Sequence, residues 1–334
     1  MIKVAINGFG RIGRPSLKIM QERDDMEVVA INDLSPIEDL AYLLKYDTAY
    51  GVYGKGITVD KKNIIIDGKK IPIFSEKEPA KLPWKDLDVD VVLECTGFFT
   101  KREGAEGHIK AGAKKVVISA PTKDDTIKTF VLGVNSDEIN VKDNIISNAS
   151  CTTNCLAPMV KVLNDKFGVE KALMSTIHSY TSTQSIVDGG GQKDRRRGRA
   201  AAQNVIPTST GAARATALVI PDVEGNFNGM AYRVPTLVGS ASDLTVVLKK
   251  NATEEEINSA FEEAEKNELR GIIQVTDEAL VSHDIVGNPY SSIVQKDLTK
   301  VVGGNLAKVV GWYDNEWGYS NRLIDMVKHI ANLK

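Results

Sequence analysis

The sequence contains few of the residues that form disulfide bonds or bind metal ions. It has three cysteines and four histidines among 334 residues. Three cysteines in a chain of this length do not make a disulfide framework, and so few histidines argue against a zinc site. We therefore expect a protein of the reducing cytoplasm that needs no metal ion and whose cysteines are free thiols.

The sequence also lacks an excess of charge of one sign and a long apolar segment. Its 42 lysines and arginines nearly balance 44 aspartates and glutamates. Dedicated nucleic-acid-binding and membrane-surface proteins are usually strongly basic, and no apolar run is long enough to cross a bilayer. The chain begins with an alternating strand pattern instead of a signal peptide. We therefore expect no membrane and no dedicated nucleic-acid partner, and the length allows two domains.

The N-terminal residues follow a pattern that is typical of dinucleotide binding. It consists of a strand, three glycines, a helix, a second strand and an acidic residue, in this order: 2–6, Gly8, Gly10, Gly13, 16–21, 27–31 and Asp33. Gly8 allows a tight turn, Gly10 lets the backbone approach a pyrophosphate, and Gly13 lets helix and strand pack closely. The carboxylate of Asp33 suits ribose hydroxyls and repels a 2′-phosphate. The pattern therefore favours NAD over NADP.

The rest of the first half predicts an antiparallel excursion over residues 57–59 and 63–73, after which strands of the parallel sheet resume. Apolar runs indicate strands at these positions: 63–66, 69–73, 89–94, 115–119 and 129–134. Asp67-Gly68 is typical of a two-residue hairpin between the first two. Thr96 and Ser119 follow buried strands, and the carboxyl ends of such strands line the cofactor crevice of open α/β sheets.

Cys151 occupies the point at which a predicted strand is followed by a predicted helix. The apolar run 144–146 precedes it, and a helical pattern begins near Leu156. Unpaired N–H groups at a helix start carry partial positive charge, so a thiol there is expected to ionise more easily and act as a nucleophile. A buried structural cysteine beside a polar helix cap explains the same segment, and both interpretations stay open at this point.

Three features of the second half suit chemical roles but have ordinary explanations too. His178 falls at the end of a predicted strand, where it is either a packing residue or a base for Cys151. The polar turn 208–212 suits an oxyanion or caps a helix. The basic run 193–199 has no aromatic residues for base stacking, so we expect a subunit contact or a small-anion site rather than nucleic-acid binding.

Four segments in the same order give the chain a close resemblance to one enzyme family. They are 7–14, 147–155, 206–213 and 311–319. The chain resembles phosphorylating glyceraldehyde-3-phosphate dehydrogenases of the bacterial and eukaryotic type over its whole length. The resemblance implies a doubly wound Rossmann sheet in residues 1–150 and an α+β catalytic domain with a mostly antiparallel sheet in 151–314. The terminal segment 315–334 is expected to pack back on the NAD-binding domain.

The resemblance also implies site residues. Cys151 is the expected nucleophile and His178 its base. The expected NAD-binding residues are Gly8, Gly10, Arg11, Ile12, Gly13, Asp33, Lys77, Thr96, Ser119 and Asn315. The expected binding residues for substrate and inorganic phosphate are Ser150, Thr152, Thr181, Arg197, Thr210, Gly211 and Arg233.

The implied reaction is the oxidation of glyceraldehyde 3-phosphate to 1,3-bisphosphoglycerate, with NAD and inorganic phosphate, in a homotetramer. The reaction would pass through a hemithioacetal and a thioester on Cys151. Two alternatives stay open. One is erythrose-4-phosphate dehydrogenase, which shares most of these motifs, and the other is a non-catalytic nucleotide- or RNA-binding protein. The three glycines 189–191 depart from the bulkier residues of many NAD-specific members and would make room for a 2′-phosphate.

Overall fold

The computed structural model describes residues 1–122, 124–191 and 194–333. The chain forms two compact units, which are treated separately below. The first comprises Met1–Phe130, Glu138–Ala149 and Ser320–Lys334, and the second comprises Val131–Asp137 and Ser150–Tyr319. The expected domain limits after residues 150 and 314 stay a prediction; the compact units depart from them at 131–137, at Ser150 and at 315–319.

The first unit is built on an eight-stranded sheet with helices. Its strands are β1 Ile2–Asn7, β2 Met26–Asn32, β3 Tyr46–Asp47, β4 Gly51–Val52, β5 Ile57–Val59, β6 Asn63–Ile66, β7 Lys69–Phe74, β8 Val91–Glu94, β9 Lys115–Ile118 and β10 Ile145–Ser147. Its helices are α1 Gly13–Met20, α2 Ile37–Lys45 and α3 Arg102–Lys110. The sheet order is β10-β9-β8-β1-β2-β7-β6-β5, while β3 and β4 pair separately. The strands from β10 to β7 are parallel, which confirms the doubly wound sheet.

The antiparallel hairpin predicted at Asp67-Gly68 is confirmed. β6 and β7 pair antiparallel on either side of it. Asp67 has φ 48° and Gly68 has φ 84°, which is the left-handed conformation that a tight two-residue turn needs. The parallel sheet therefore ends in an antiparallel edge of β7, β6 and β5.

The strand predicted over residues 129–134 is wrong. The structure has one isolated bridge at Thr129, and turns follow it. Gly133 adopts φ 75°, and the side-chain oxygen of Asn135 accepts a hydrogen bond from the N–H of Val131 at 2.9 Å. These apolar residues lie in turns, because the hydrogen bond from the N–H of Val131 to the side chain of Asn135 replaces the backbone hydrogen bond to a neighbouring strand.

The second unit is built on a second, mostly antiparallel sheet. Its strands are β11 Val169–Ser179, β12 Ile206–Ser209, β13 Phe227–Val234, β14 Ser240–Leu248, β15 Ile273–Thr276, β16 Ser292–Gln295, β17 Lys300–Val302 and β18 Leu306–Tyr313. Its helices are α4 Cys151–Phe167, α5 Ala212–Val219 and α6 Glu254–Lys266. The order is β12-β13-β11-β14-β18-β16-β15, with parallel pairs only at β11–β13 and β15–β16 among the described residues. The last helix, α7 Trp317–Ala331, begins in this unit and continues into the first.

Local signals explain the starts of two helices in this unit. Ser150 caps α4, since its Oγ accepts from the N–H of Thr153 at 3.1 Å. Thr253 and Glu256 form a reciprocal capping box at α6. No helix in the described part of the chain is both long and apolar enough to span a membrane.

Gly13→Ala tests the close packing at the glycine motif. An added Cβ would lie 2.2 Å from the carbonyl oxygen of Gly8 and 3.1 Å from Cγ2 of Ile6, so the backbone would have to shift. We expect the free energy of unfolding to fall by about 1–3 kcal/mol, with a lower melting temperature in differential scanning fluorimetry. Gly10→Ala is the matched control, because no atom lies within 4 Å of its added Cβ. Equal melting temperatures for the two variants would contradict the prediction.

Candidate active site

The first unit contains a cavity at the carboxyl edge of its parallel sheet. It has a volume of about 530 Å³ and lies where β1, β2 and β8 end. Five of the residues predicted to bind NAD line it: Gly8, Gly10, Asp33, Lys77 and Thr96. Sequence reasoning missed the other lining residues, which are Asn7, Asn32, Leu34, Glu76, Cys95, Phe98 and Phe99.

The two glycines that line the cavity differ in their surroundings. A Cβ on Gly8 would lie 2.7 Å from the amide nitrogen of Thr96, and Gly8 has φ 93°. At Gly10 the space around an added Cβ is open. Asp33 is held in place, because its carboxylate accepts from the N–H groups of Phe9 at 2.8 Å and Ser35 at 2.9 Å. The residues of this cavity therefore fit a dinucleotide with free ribose hydroxyls.

Other residues predicted for the cofactor lie outside the lining of this cavity. Arg11 forms an ion pair with Asp47 at 2.6 Å, and the side chain of Asp47 is almost fully buried. Ile12 and Gly13 form the start of α1. The N–H of Ser119 donates to the carbonyl of Glu94 between the ends of β8 and β9. Their contacts with NAD stay predictions.

The second unit brings Cys151 and His178 together. Cys151 is the first residue of α4, and its Sγ lies 3.5 Å from Nε2 of His178. His178 lies on β11, where the sheet register places it opposite Arg233 of β13. The thiol and the imidazole are thus within hydrogen-bond distance, in the geometry of a nucleophile and its base.

Two groups compete for the other ring nitrogen of His178. The carbonyl oxygen of Ser179 lies 2.7 Å from Nδ1, and Nη1 of Arg233 lies 2.6 Å from it. A carbonyl only accepts and a guanidinium only donates, so both cannot bond Nδ1 at once. With Nδ1–H donating to Ser179, Nε2 is free to take the thiol proton. Arg233 also donates to the carbonyl of Ser179 at 2.9 Å, so this carbonyl can satisfy both groups.

Burial keeps both members of the pair neutral. It raises the pKa of Cys151, and the charge of Arg233 opposes that rise only in part. Burial, together with Arg233, lowers the pKa of His178 to about 3. The position of Cys151 at a helix start led us to expect a thiol that ionises easily. The thiol is instead protonated at neutral pH, because the effect of desolvation on its pKa outweighs that of the helix N-terminus.

Tyr313 joins the site although it was not among the predicted site residues; it lies in segment 311–319, which contributes to the family resemblance. Its hydroxyl lies 3.0 Å from Oγ1 of Thr152 and 2.8 Å from Oγ1 of Thr176, and its ring meets that of His178 edge-on at 6.0 Å. Burial raises the pKa of Tyr313. Its position at the end of an apolar strand is that of any core tyrosine, so only the fold shows its place beside Cys151.

The residues predicted for anions fall into two sets. The first set is Arg233 and Arg197, and Arg233 is near Cys151. Burial lowers the pKa of Arg233, and the charge of Arg197 lowers it further. Nε of Arg197 donates to Oγ1 of Thr208 at 3.0 Å. The second set lies at helix starts: Ser150 caps α4, while Thr210 and Gly211 precede α5, which packs against α4.

The remaining predicted residues are engaged locally. Oγ1 of Thr181 bonds Oγ1 of Thr183 at 2.8 Å. The basic run folds as a short 3-10 turn capped by Asp194, whereas Lys193 lies outside the described residues. The described residues contain no cluster of three or more side chains suited to a metal ion.

Asn315 is buried and held in one orientation. Its Oδ1 accepts from the N–H of Gly239 at 3.2 Å and from Oγ of Ser240 at 3.0 Å. Because the backbone N–H of Gly239 can only donate, the oxygen of the amide must face it, and Nδ2 points the other way. Oγ of Ser240 also accepts from the N–H of Ser179, so Asn315 is linked to the strand end that carries His178.

Taken together, the parallel sheet with a cavity at its carboxyl edge and the adjacent thiol and imidazole are the features expected of a dinucleotide-dependent oxidoreductase. Two family models match the chain: "Glyceraldehyde 3-phosphate dehydrogenase, NAD binding domain" over residues 2–102, and the "C-terminal domain" of the same enzyme over residues 150–315. The chain therefore belongs to the glyceraldehyde-3-phosphate dehydrogenase family, which confirms the resemblance.

Relatives from bacteria and yeast agree. The chain is 52% identical over 333 residues to glyceraldehyde-3-phosphate dehydrogenase 2 of Streptomyces avermitilis, with 99% of each chain covered. It is 52% identical over 331 residues to the enzyme of Priestia megaterium, covering 99% of this chain and 98% of the relative. It is 51% identical over 332 residues to glyceraldehyde-3-phosphate dehydrogenase 1 of Candida glabrata, with 99% of each covered.

The lowered pKa of His178 makes stability depend on pH. In the unfolded chain the imidazole titrates near 6.5, and in the folded protein near 3. Between these values the unfolded state binds the extra proton, so each pH unit costs the folded state about 1.4 kcal/mol. The contribution of the neutral His178 to the free energy of unfolding is fully present above pH 6.5 and is lost as the pH falls toward 3.

We therefore expect His178→Asn to lose less of its melting temperature than the unmodified protein when the pH is lowered from about 6.5 to about 5. Scanning fluorimetry across this range measures the two slopes. His283→Asn is the control, because His283 is exposed, and its slope should match that of the unmodified protein. Identical slopes for His178→Asn and the unmodified protein would contradict the assignment.

Proposed function

We propose that this chain oxidises and phosphorylates glyceraldehyde 3-phosphate to 1,3-bisphosphoglycerate, with Cys151 as the nucleophile and His178 as the base. The observation that carries the proposal is the 3.5 Å contact between Sγ of Cys151 and Nε2 of His178, beside the partly buried Arg233. A non-catalytic nucleotide-binding protein has no need for this pair. The family membership supports the same reaction and NAD as its oxidant.

The first chemical step is addition of the thiol to the aldehyde. Sγ of Cys151 bonds the carbonyl carbon while the thiol proton moves to Nε2 of His178. His178 then passes this proton to the former carbonyl oxygen, which gives a hemithioacetal and a neutral imidazole. His178 then removes the hydroxyl proton as the carbon loses hydride, which leaves a thioester on Cys151. Bound NAD supplies the hydride acceptor. A neutral imidazole adjacent to the thiol suits both proton transfers.

Arg233 couples substrate binding to the state of the base. We assign Arg233 and Thr181 to the phosphate of the substrate. A phosphate draws the guanidinium away from Nδ1 of His178, which removes the competitor of the Ser179 carbonyl. The Nδ1–H tautomer then prevails, and Nε2 becomes the acceptor that the thiol proton needs. The neutral pair is in this way activated when the substrate arrives.

Inorganic phosphate is assigned to the helix-start residues Ser150, Thr152, Thr210 and Gly211, with Arg197 assisting at one of the two anion sites. Oγ of Ser150 accepts from the N–H of Thr153, and the Thr153 hydroxyl at 2.9 Å can donate to it as well, which leaves the O–H of Ser150 for an anion. Phosphate attacks the thioester, the thiolate of Cys151 leaves, and the acyl phosphate is released. The thioester conserves oxidation energy that hydrolysis would lose, so the chemistry requires a phosphate site near Sγ.

A homotetramer in the cytoplasm completes the proposal. The outer face of the second sheet exposes Leu173, Ile177, Met230 and Leu306 and carries an open cavity of about 560 Å³. A second copy of the chain would cover such a face. The three cysteines are free, as expected in a reducing compartment.

His178→Asn is expected to slow the oxidation step at least about tenfold, since general-base help is typically worth about 10²–10⁴-fold. Single-turnover formation of NADH from glyceraldehyde 3-phosphate measures this step directly. His283→Asn should leave the rate unchanged. An unchanged single-turnover rate in His178→Asn would refute the role of His178.

Omission of phosphate tests the reaction class. Without phosphate or arsenate, we expect one NADH per Cys151 in a burst, after which turnover falls more than about tenfold because the thioester accumulates. Arsenate should restore turnover, since it replaces phosphate as the acyl acceptor. Full steady-state activity without either anion would point to a non-phosphorylating enzyme such as erythrose-4-phosphate dehydrogenase.

A further inference from the structure

A buried polar cluster lies beneath the cavity of the first unit, outside every predicted site. It consists of Asn7, Asn32, Trp84, Glu94 and His108 and is called the Glu94 cluster below. Each of these residues is at most 5% exposed. Buried polar side chains are costly unless all their hydrogen bonds are made, so the arrangement of donors and acceptors carries information.

Trp84 determines the protonation of His108. The indole N–H can only donate, and it lies 3.0 Å from Nδ1 of His108. Nδ1 must therefore accept, which leaves the proton of the neutral ring on Nε2. Nε2 lies 3.0 Å from Oε2 of Glu94 and donates to it. The imidazole cannot reverse this direction without losing the bond to Trp84.

The backbone of Glu76 determines the orientation of both asparagines. Its N–H donates to Oδ1 of Asn32 at 2.9 Å, and its carbonyl accepts from Nδ2 of Asn32 at 2.9 Å. Nδ2 of Asn32 also donates to Oδ1 of Asn7 at 2.7 Å. Nδ2 of Asn7 is thereby turned toward Oε2 of Glu94, at 2.6 Å. Asn32 cannot flip without opposing two backbone groups of fixed polarity, and Asn7 cannot flip without opposing Asn32.

Glu94 receives donors on both oxygens. His108 and Asn7 donate to Oε2, while the N–H of Thr96 at 2.8 Å and the hydroxyl of Thr96 donate to Oε1. Because none of the nitrogen donors can reverse, both oxygens of Glu94 must accept hydrogen bonds from N–H groups. Among the described residues no lysine or arginine forms an ion pair with it. A buried carboxyl group of this kind is held by hydrogen bonds alone.

The cluster reaches the cavity on two sides. Asn7, Asn32, Glu76 and Thr96 all line it. Oγ1 of Thr96 accepts from the N–H of Phe98 at 3.0 Å, so the loop after β8 is held through Thr96. We propose that Glu94 is a positioning residue for NAD, because its side chain accepts on both oxygens and so fixes the Thr96–Phe98 wall directly and the Asn32–Glu76 wall through Asn7. This inference rests on the NAD dependence in the proposed function.

Glu94→Gln tests the proposal, because an amide cannot accept at both ends. Its NH₂ group must face either the N–H of Thr96 or the donors of Asn7 and His108. We expect the Kd for NAD, measured by calorimetry on the full-length protein, to rise at least about tenfold. The KM for NAD should rise with it, and kcat at saturating NAD should change much less. Amide hydrogen exchange at Thr96 and Phe98 should become faster.

Two further variants separate positioning from general damage. Glu106→Gln makes the same chemical change on α3, where the side chain is 41% exposed, and should leave the Kd for NAD unchanged. Asn7→Asp combined with Glu94→Gln exchanges acceptor and donor. The carboxylate introduced at position 7 can accept from the amide introduced at position 94 and from Nε2 of His108, which lies 3.4 Å from Nδ2 of Asn7. We expect this double variant to recover most of the NAD affinity that Glu94→Gln loses.

The outcomes separate the inference from the proposed function. If the unmodified protein does not bind NAD, the proposed function fails at its cofactor. If it binds NAD and Glu94→Gln binds equally well with a lower melting temperature, the cluster only stabilises the fold and the inference is overturned. Should Glu94→Gln fail to fold, ¹⁵N NMR of histidine-labelled unmodified protein decides. A neutral Nε2–H ring at His108 supports the inference, and an Nδ1–H ring overturns it.

Discussion

The candidate active site depends on how the carbonyl group of Ser179 is shared. This oxygen lies 2.7 Å from Nδ1 of His178 and also accepts from Arg233. The N–H of the same residue donates to Ser240, which in turn donates to Asn315. The direction of one carbonyl therefore fixes the ring plane of the base, and through Ser240 the same strand end holds the amide predicted to bind the cofactor.

The same chemical rule acts on His108, with the opposite result. An imidazole has two nitrogens, and whatever bonds Nδ1 decides what Nε2 can do. At His108 a single obligate donor, Trp84, locks Nδ1 as an acceptor. At His178 a donor and an acceptor compete, and the competing donor is a side chain that a substrate phosphate can attract. One buried histidine is thus held in a single tautomer, while the tautomer of the other depends on which partner bonds Nδ1, as the proposed proton transfer requires.

Features that depend on the local backbone could be predicted from the sequence. The partners and directions of hydrogen bonds between distant side chains could not. The glycine motif fixes α1 against β1, since Gly13 has no room for a side chain. The strand predicted at 129–134 is wrong because apolar character alone does not distinguish a strand from packed turns. Glu94 meets Asn7 from 87 positions away, and Tyr313 reaches its partner on α4 from 161 positions away. Partners so distant in the sequence leave no local pattern, so the roles of these residues follow from hydrogen-bond partners that only the tertiary structure supplies.

The protonation of Cys151 shows how burial changes the expected chemistry. From the residues alone, His178 is either a packing residue or a base for Cys151, and the structure brings the two together from α4 and β11. A helix N-terminus favours a thiolate, yet burial raises the pKa of this thiol further than Arg233 lowers it. A protonated thiol is protected from oxidation, because the thiolate is the reactive form, but its attack on an aldehyde then needs a base. Arg233 contacts His178, so under the proposed function its movement toward a substrate phosphate would remove the competitor for Nδ1 and favour the tautomer whose Nε2 accepts the thiol proton.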